Sequence, residues 1–229
     1  MVALYAMGDP HLSLGTNKPM DVFGGPWEGY VQKLRDGFSA VRPEDTVILC
    51  GDISWGMNLE EAESDFAFLN CLPGRKILLK GNHDYWWNTV SKMEKFFAAH
   101  GFDTFEILHN NCRFYNDLAL CGTRGWFLEE DMKQQSRKVF NRELLRLETS
   151  LKAGEKREKW CFLHYPPWYE GYRCDPILEL LERYDVKRCY YGHLHGASHR
   201  LAVQGRRGGV EYRLISADYL KFRPEKICD

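Results

Sequence analysis

Residues 76–84 read KILLKGNHD and contain the pattern that decides the fold. The apolar run from Lys76 to Lys80 predicts a strand, and the polar cluster Gly81-Asn82-His83-Asp84 follows it directly. Residues 46–52, TVILCGD, and residues 2–11, VALYAMGDPH, repeat this order of an apolar run followed by Gly and Asp. Ligands bind at the carboxyl ends of strands in open α/β sheets, so these clusters are candidates for chemistry.

The rest of the chain alternates short apolar runs with longer segments of helical period, which predicts an α/β fold. Apolar stripes at helical spacing predict helices within residues 27–41 and 59–69, packed on a sheet. The predicted strands are Val2–Met7, Thr46–Cys50, Lys76–Lys80, Phe105–Leu108, Leu118–Cys121, Trp160–Leu163 and Arg188–Tyr191.

Two further segments are predicted to be structural. Residues 129–159 are highly charged, with apolar residues at roughly helical spacing, and predict one long amphipathic helix with Gly154 as a stop signal. A lid or a partner-binding helix is the alternative for this segment. Residues 201–203 and 210–215 flank a glycine-rich stretch and predict a β-hairpin.

Length and composition restrict the class of protein. A chain of 229 residues with 44% hydrophobic residues can bury one sizeable core, so we expect a single domain over residues 1–229. Lys and Arg number 31 against 32 for Asp and Glu, which leaves no positive excess for binding long nucleic acid.

The cysteines and the amino terminus favour a cytoplasmic protein. The chain has eight cysteines and no CxxC pair, and Cys50, Cys121, Cys161 and Cys189 lie in apolar, strand-like runs. We interpret them as small buried hydrophobic residues in a reducing compartment. No signal sequence precedes Gly8-Asp9, and no apolar run reaches the roughly 20 residues of a membrane-spanning helix, so we expect no membrane association.

Five polar clusters lie at or near the carboxyl ends of apolar runs. Together they offer two carboxylates, an amide oxygen and four imidazoles, a mixed oxygen and nitrogen set that suits manganese, iron, zinc or cobalt. Seven ligands exceed the need of one tetrahedral ion and suit two ions that share a carboxylate. The candidate metal ligands are Asp9, His11, Asp52, Asn82, His164, His193 and His195.

These motifs resemble those of the calcineurin-like metallophosphoesterase superfamily. Asp9-x-His11, Gly51-Asp52, the 81–84 cluster, His164 and the GHLH sequence at 192–195 occur in the family's order and cover residues 8–196. The resemblance implies a fold of two mixed β-sheets packed face to face and flanked by helices. It also implies a hydrolase of phosphomonoesters or phosphodiesters that uses two metal ions, with manganese or iron expected and zinc or cobalt as alternatives.

The resemblance further implies a role for each residue. Asp9, His11 and His195 would bind one metal, Asn82, His164 and His193 the other, and Asp52 would bridge them. A hydroxide bridging the metals would attack the phosphorus in line, and His83 would stabilise or protonate the departing oxygen. Asp84 follows His83 directly and is a candidate to orient its imidazole.

Other residues bear on the substrate, which we expect to be small and phosphorylated, with nucleotide-like compounds included. In the family branch that acts on phosphoproteins, an Asp stands where this chain has Trp55, so protein phosphatase activity of that type is disfavoured. Aromatic residues near the motifs either line a pocket for a flat group or fill core. Arg124 is a candidate for binding a phosphate oxygen.

Two alternatives to the phosphoesterase remain open. One is a catalytically silent protein of the same fold that serves as an interaction scaffold. The other is a nuclease of the same superfamily, restricted by the near-neutral charge to short oligonucleotides or cyclic nucleotides. Filled ligand positions and the presence of His83 favour the enzyme over the scaffold.

Overall fold

The computed structural model of this protein describes residues 2–128 and 133–229. The chain forms two compact units. The first unit comprises the chain up to Ile107 together with Ile215–Asp229, and the second unit comprises Leu108–Leu214. The described strands are β1 (Leu4–Met7), β2 (Thr46–Cys50), β3 (Arg75–Leu79), β4 (Phe105–Ile107), β5 (Cys112–Tyr115), β6 (Leu118–Thr123), β7 (Glu158–Leu163), β8 (Trp168–Tyr169), β9 (Tyr172–Arg173), β10 (Val186–Tyr191), β11 (Gly205–Arg207), β12 (Val210–Leu214) and β13 (Glu225–Cys228), and the described α-helices are α1 (Tyr30–Gly37), α2 (Glu63–Cys71), α3 (Val90–Ala99), α4 (Gln134–Ala153) and α5 (Asp175–Arg183).

The sheet of the first unit has the strand order β13-β1-β2-β3-β4. Strands β1 to β4 run parallel, and β13 pairs antiparallel with β1 at the edge. Parallel neighbours need crossover connections, and α1, α2 and α3 lie in the three connections between β1 and β4. Ala6 pairs with Ile48, and Ile48 with Ile77, so β1, β2 and β3 end at one edge of the sheet.

The helices of the first unit bury the predicted apolar stripes. Tyr30 and Leu34 of α1, and Phe66 and Leu69 of α2, belong to the core of this unit. Helix α1 is shorter than the predicted 27–41 segment because short 3-10 turns occupy residues 25–27 and 38–40. The Thr89 side chain accepts a hydrogen bond from the Lys92 N–H and caps the start of α3.

The sheet of the second unit has the order β11-β12-β10-β7-β6-β5. Strands β6, β7, β10 and β12 run parallel, whereas β5 and β11 pair antiparallel at the two edges. Strands β8 and β9 form a separate two-stranded sheet. Leu147 and Leu151 of α4 share a buried core with Leu180 and Leu181 of α5. The predicted α/β fold with two mixed sheets and flanking helices is therefore confirmed.

Two local predictions need correction. The helix predicted over 129–159 is α4, which ends at Ala153 because Gly154 follows and β7 already begins at Glu158. Residues 129–132 of that prediction lie outside the described residues. The predicted hairpin exists, but its first strand is β11 rather than residues 201–203, and a two-glycine turn at Gly208 and Gly209 joins it to β12.

The cysteines lie where the sequence analysis expects them. All eight cysteines are free thiols, and Cys50, Cys121, Cys161 and Cys189 are buried. Within residues 2–128 and 133–229, no helix has the length and apolar character needed to cross a bilayer. The expectation of a single domain over residues 1–229 stays a prediction.

Candidate metal-binding residues

In the first unit, the loops that follow β1 and β2 are hydrogen-bonded side by side. The Asp9 N–H donates to the Gly51 carbonyl oxygen at 2.9 Å, and the His11 N–H donates to the Asp52 carbonyl oxygen at the same distance. The ladder continues with Leu12 N–H to the Ile53 carbonyl oxygen at 2.9 Å. These bonds hold the side chains of Asp9, His11 and Asp52 in one region beyond the strand ends.

The backbone at these three residues adopts a left-handed conformation. The φ angles are 59° at Asp9, 48° at His11 and 49° at Asp52. Residues other than glycine seldom occupy this region, and they do so where surrounding structure fixes them, often at functional sites. Here the hydrogen bonds between the two loops fix all three, so the loop geometry has a conformational cost that a purely structural turn could avoid with glycine.

The three side chains are buried and close to one another. Asp9 and Asp52 are almost fully buried, and His11 is buried beside them. The Nε2 of His11 lies 3.7 Å from Oδ2 of Asp52, and the ligand atoms of Asp9 and His11 lie within 4.8 Å of each other. Two carboxylates removed from water need compensation by donors or cations. This donor set of carboxylate oxygens and imidazole nitrogen fits a borderline divalent ion.

The loop after β3 lies against Asp52. A Cβ atom at Gly81 would lie 2.1 Å from both the backbone nitrogen and Oδ1 of Asp52, so only glycine permits this approach. The His83 N–H donates to Oδ1 of Asp52 at 2.7 Å. Asn82, half-buried, lies between these two contacts in the chain. The first unit therefore brings together Asp9, His11, Asp52, Asn82 and His83.

Asp84 connects the loops and does not orient His83. Its fully buried carboxylate accepts hydrogen bonds from the N–H groups of Gly81 at 2.7 Å, Ile53 at 2.8 Å and Ser54 at 3.3 Å, and from Trp86 Nε1 at 2.9 Å. Burial, followed by the nearby Asp52 charge, raises its pKa. None of these four bonds involves the His83 imidazole, so the pairing considered from the sequence is not formed. Nδ1 of His83 is buried without a hydrogen-bond partner.

Aromatic rings surround His83 and His11. The Trp55 ring lies 4.4 Å from the His83 ring and stacks on His11 at 5.3 Å between centroids. The Tyr85 ring lies edge-on to His83 at 6.1 Å. Trp55 therefore packs against two candidate functional imidazoles and does not only fill the core.

Asp65 has a supporting role that the sequence analysis missed. This buried carboxylate on α2 accepts hydrogen bonds from the Leu14 N–H at 2.7 Å and from the Ser54 hydroxyl, and so fastens the loops after β1 and β2 to the helix. Burial raises the pKa of Asp65 to about 6. The sequence offered no signal for this role because Asp65 is an ordinary charged residue within a segment of helical period.

In the second unit, the candidate imidazoles follow β7 and β10. His164 is buried, and its Nε2 lies 3.2 Å from Nδ1 of His193, which has a left-handed φ of 70°. Rings of Tyr165 and Phe127 pack on His193 at 4.4 and 5.6 Å. Two imidazole nitrogens that face each other at this distance are suitably placed to contact a common cation.

His195 has a neighbour that the sequence analysis also missed. The ligand atoms of His195 and His199 lie within 4.8 Å of each other, with His195 just before a 3-10 helix over Gly196–Leu201 and His199 within it. The four-residue spacing of these histidines was the available signal. The second unit thus brings His164 close to His193, and His195 close to His199.

Arg124 of the second unit is held by a buried carboxylate. Glu143 of α4 accepts hydrogen bonds from the Thr123 hydroxyl at 2.6 Å, Arg146 at 2.7 Å and Arg124 at 3.3 Å. The Arg124 guanidinium also lies over the Trp126 ring at 4.5 Å. The Arg124 carbonyl oxygen accepts hydrogen bonds from the N–H groups of His164 and Tyr165. Arg124 therefore has a structural role beside His164, and its binding of a phosphate oxygen stays a prediction.

Comparisons with known proteins identify the family. The sequence model of the family described as "Calcineurin-like phosphoesterase" matches residues 3–197. No curated protein matches the chain. Among solved structures, the phosphopantetheinyl hydrolase (PptH) from Mycobacterium tuberculosis has a TM-score of 0.61 at 13% identity, covering 97% of this chain and 95% of that chain.

Two further structures share the fold. TT1561 of Thermus thermophilus has a TM-score of 0.53 at 12% identity, covering 100% of this chain and 99% of that chain. AQ665 from Aquifex aeolicus has a TM-score of 0.52 at 14% identity, covering 98% and 95%. At these identities the likeness establishes the fold.

Proposed function

Because the chain belongs to the calcineurin-like phosphoesterase family, we propose that it hydrolyses a phosphomonoester or phosphodiester with the help of two metal ions. One observation carries the proposal: Asp9, His11 and Asp52 are buried together at the ends of parallel strands, with strained backbone at each residue. A fold that serves only as a scaffold has no need to maintain buried charges in costly conformations.

The proposed ligand assignment follows the roles that the family resemblance implies. Asp9 and His11, with His195, would hold one ion, and Asn82, with His164 and His193, would hold the other. Asp52 would be shared. The assignment is supported within the first unit by the closeness of His11 to Asp52, and within the second by the facing nitrogens of His164 and His193. Oxygen and nitrogen ligands without thiolate suit manganese, iron, zinc or cobalt, and the family resemblance favours manganese or iron among them.

Bound metal ions would supply an acidified water as nucleophile and positive charge for the phosphoryl oxygens. The side chains around them have separate tasks. The His83 N–H donates to Asp52, and its imidazole packs against the rings of Trp55 and Tyr85. This imidazole would donate a proton to the departing oxygen. Trp55 would keep that imidazole in place and exclude water from one of its sides.

The substrate class follows from composition and family. A near-neutral chain favours a small phosphorylated compound over long nucleic acid. One solved protein of the same fold is a phosphopantetheinyl hydrolase, so a phosphopantetheinyl ester belongs in the substrate panel. Eight free thiols support a reducing, cytoplasmic location.

The proposal is tested with p-nitrophenyl phosphate, bis(p-nitrophenyl) phosphate and a phosphopantetheinyl ester, each assayed with and without added manganese. We expect metal-dependent turnover of at least one ester. His83→Ala should lower kcat by about 10²- to 10⁴-fold on an ester with a poor, alkyl leaving group, while metal content is unchanged. His100→Ala, at the carboxyl end of α3, is the matched control and should retain full activity. Absence of turnover in the metal-loaded protein would reject the hydrolase.

A further inference from the structure

Three exposed apolar side chains lie in the loops of the first unit that carry candidate ligands. They are Leu14 after β1, Met57 after β2 and Tyr85 after β3, each between 46% and 51% exposed, and we call these three the apolar rim. Single exposed apolar residues are ordinary on protein surfaces, but exposed apolar residues in three loops beside one candidate site favour a binding surface.

The apolar rim is continuous in the chain with the candidate ligands. Leu14 follows His11 in the loop after β1, Met57 follows Asp52 in the loop after β2, and Tyr85 follows His83 in the loop after β3. The Tyr85 ring touches the His83 ring edge-on. The alcohol part of the ester is attached to the oxygen that His83 would protonate. It would therefore lie beside Tyr85 of the apolar rim.

Direct contacts hold the rim loops beside one another. The Leu14 N–H donates to Asp65, and the Met57 N–H donates to Glu61 at 2.9 Å. A Cβ atom at Gly15 would lie 2.1 Å from the Glu61 carbonyl oxygen, so the loop that carries Leu14 lies directly on the loop that carries Met57. These two apolar side chains thus come from loops in contact.

The charge of these loops argues against a membrane surface as the occupant. Apart from the buried Asp9, Asp52 and Asp84, residues 8–29, 51–62 and 80–89 contain four acidic and two basic residues. Anionic lipid surfaces attract clusters of Lys and Arg, which these loops lack. The rim suits a single amphiphilic molecule whose phosphate is at the metals and whose apolar part lies on the rim.

We infer that the substrate is a phosphate ester with an alkyl or acyl chain, and that the apolar rim binds this chain. The inference rests on the proposed phosphoesterase function and adds the chemical class of the esterified group. The unbranched Met57 side chain adapts to a flexible aliphatic chain, and Leu14 adds apolar surface in the neighbouring loop. Burial of each methylene should improve kcat/KM about two- to fourfold until the chain extends beyond the rim.

The test uses butyl, hexyl and octyl phosphate below their micellar concentrations, with release of inorganic phosphate as the assay. Leaving-alcohol acidity is nearly constant in this series, so differences report binding of the chain. We expect kcat/KM to rise at least about tenfold from butyl to octyl phosphate. Binding of butyl- and octylphosphonate, which cannot be hydrolysed, is measured by calorimetry and should show the same preference.

Variants locate the effect on the rim. The double variant Met57→Ser, Tyr85→Ser should remove most of the chain-length preference for esters and phosphonates alike. The control is Phe114→Ser on β5, because Phe114 is 52% exposed, almost the same fraction as the 51% of Tyr85, and lies in the other unit. This control should keep the preference of the wild type.

The outcomes separate the two proposals. Turnover with equal kcat/KM for butyl and octyl phosphate would overturn the rim inference and leave the phosphoesterase intact. Absence of turnover with every ester would overturn the phosphoesterase, while the phosphonates would still decide whether the rim binds a chain. Sedimentation of the metal-loaded protein with phosphatidylcholine vesicles would overturn the choice of a single amphiphile, and an unbound protein supports it.

Discussion

Replacing Gly81 with alanine adds a single methyl group, which should disable the candidate metal-binding loop of the first unit. The added Cβ would lie 2.1 Å from the Asp52 backbone nitrogen, 2.1 Å from Oδ1 and 2.8 Å from Cγ of the same residue. Ordinary contacts begin near 3.4 Å, so the loop and Asp52 must separate by more than 1 Å. The His83 N–H bond to Oδ1 would break with that movement.

The expected magnitude follows from that displacement. A shift of about 1 Å at a catalytic group lowers turnover by about 10²-fold. Overpacking of a buried contact lowers the free energy of unfolding by about 1–3 kcal/mol. We therefore expect Gly81→Ala to lower kcat/KM on the preferred nitrophenyl ester about 10²-fold and to bind less metal, measured per folded molecule.

A matched steric control is available in the same unit. A Cβ atom at Gly37 would lie 1.9 Å from the Phe222 carbonyl oxygen, in a contact that involves no candidate ligand. Gly37→Ala should lower the free energy of unfolding by a similar amount while turnover per folded molecule is unchanged. The reasoning is refuted if Gly81→Ala and Gly37→Ala have the same turnover and metal content per folded molecule.

Three further predictions concern buried carboxylates and the leaving group. Asp84→Ala leaves three backbone N–H groups and Trp86 Nε1 without an acceptor, so the free energy of unfolding measured by urea denaturation should fall by about 3–5 kcal/mol. A fall of less than about 1 kcal/mol would contradict the role of Asp84 in connecting the loops. Burial raises the pKa of Asp65 from 3.8 to about 6, so the folded protein retains a proton that the unfolded chain releases, and the free energy of unfolding falls as the pH rises from about 4 to about 6. Asp65→Asn should remove this fall in the free energy of unfolding between pH 5 and 6, measured by denaturation of the metal-free protein. The same dependence on pH in the variant and the wild type would refute the assignment to Asp65. His83→Ala should affect nitrophenyl esters less than alkyl esters, since a good leaving group needs little protonation; equal losses on both would argue against proton donation by His83.

Strands with strong apolar runs could be predicted from the sequence almost to the residue. The prediction for Thr46–Cys50 matches β2, and the polar clusters after β1, β2 and β3 do lie at one edge of a parallel sheet. Buried parallel strands must be apolar along their whole length, so the pattern is unambiguous there. The candidate ligands of the first unit could be proposed because their polar clusters follow these strands, and their roles came from the family resemblance.

Edge strands and polar contacts could not be predicted in this way. Strand β11 contains Arg206 and Arg207 and is exposed, because an edge strand need not be apolar, and the apolar residues 201–203 therefore looked like the better strand. Glu143 is buried on α4 among positions expected to be charged and solvated. Its partners come from β6 and the loop that follows it, and no helical periodicity reveals such a contact.

Asp84 shows the limit of reasoning from adjacency. Its position beside His83 suggested an orienting carboxylate, but the turn at residues 81–84 directs it toward the N–H groups of Gly81 and Ile53. Neighbours in a turn point in different directions, so sequence adjacency does not imply side-chain contact. The sequence predicted the residue types of the candidate site, and the backbone hydrogen bonds determine which of them support the others.

The most direct test of the account is the metal content of the protein purified without chelator and reconstituted with manganese, measured by elemental analysis for the wild type and for Asp52→Asn, His11→Ala and His193→Ala. The account predicts about two equivalents per chain in the wild type, loss of about one in each histidine variant, and loss of both in Asp52→Asn. A wild type that binds no metal, or an Asp52→Asn variant that retains two equivalents, would contradict it.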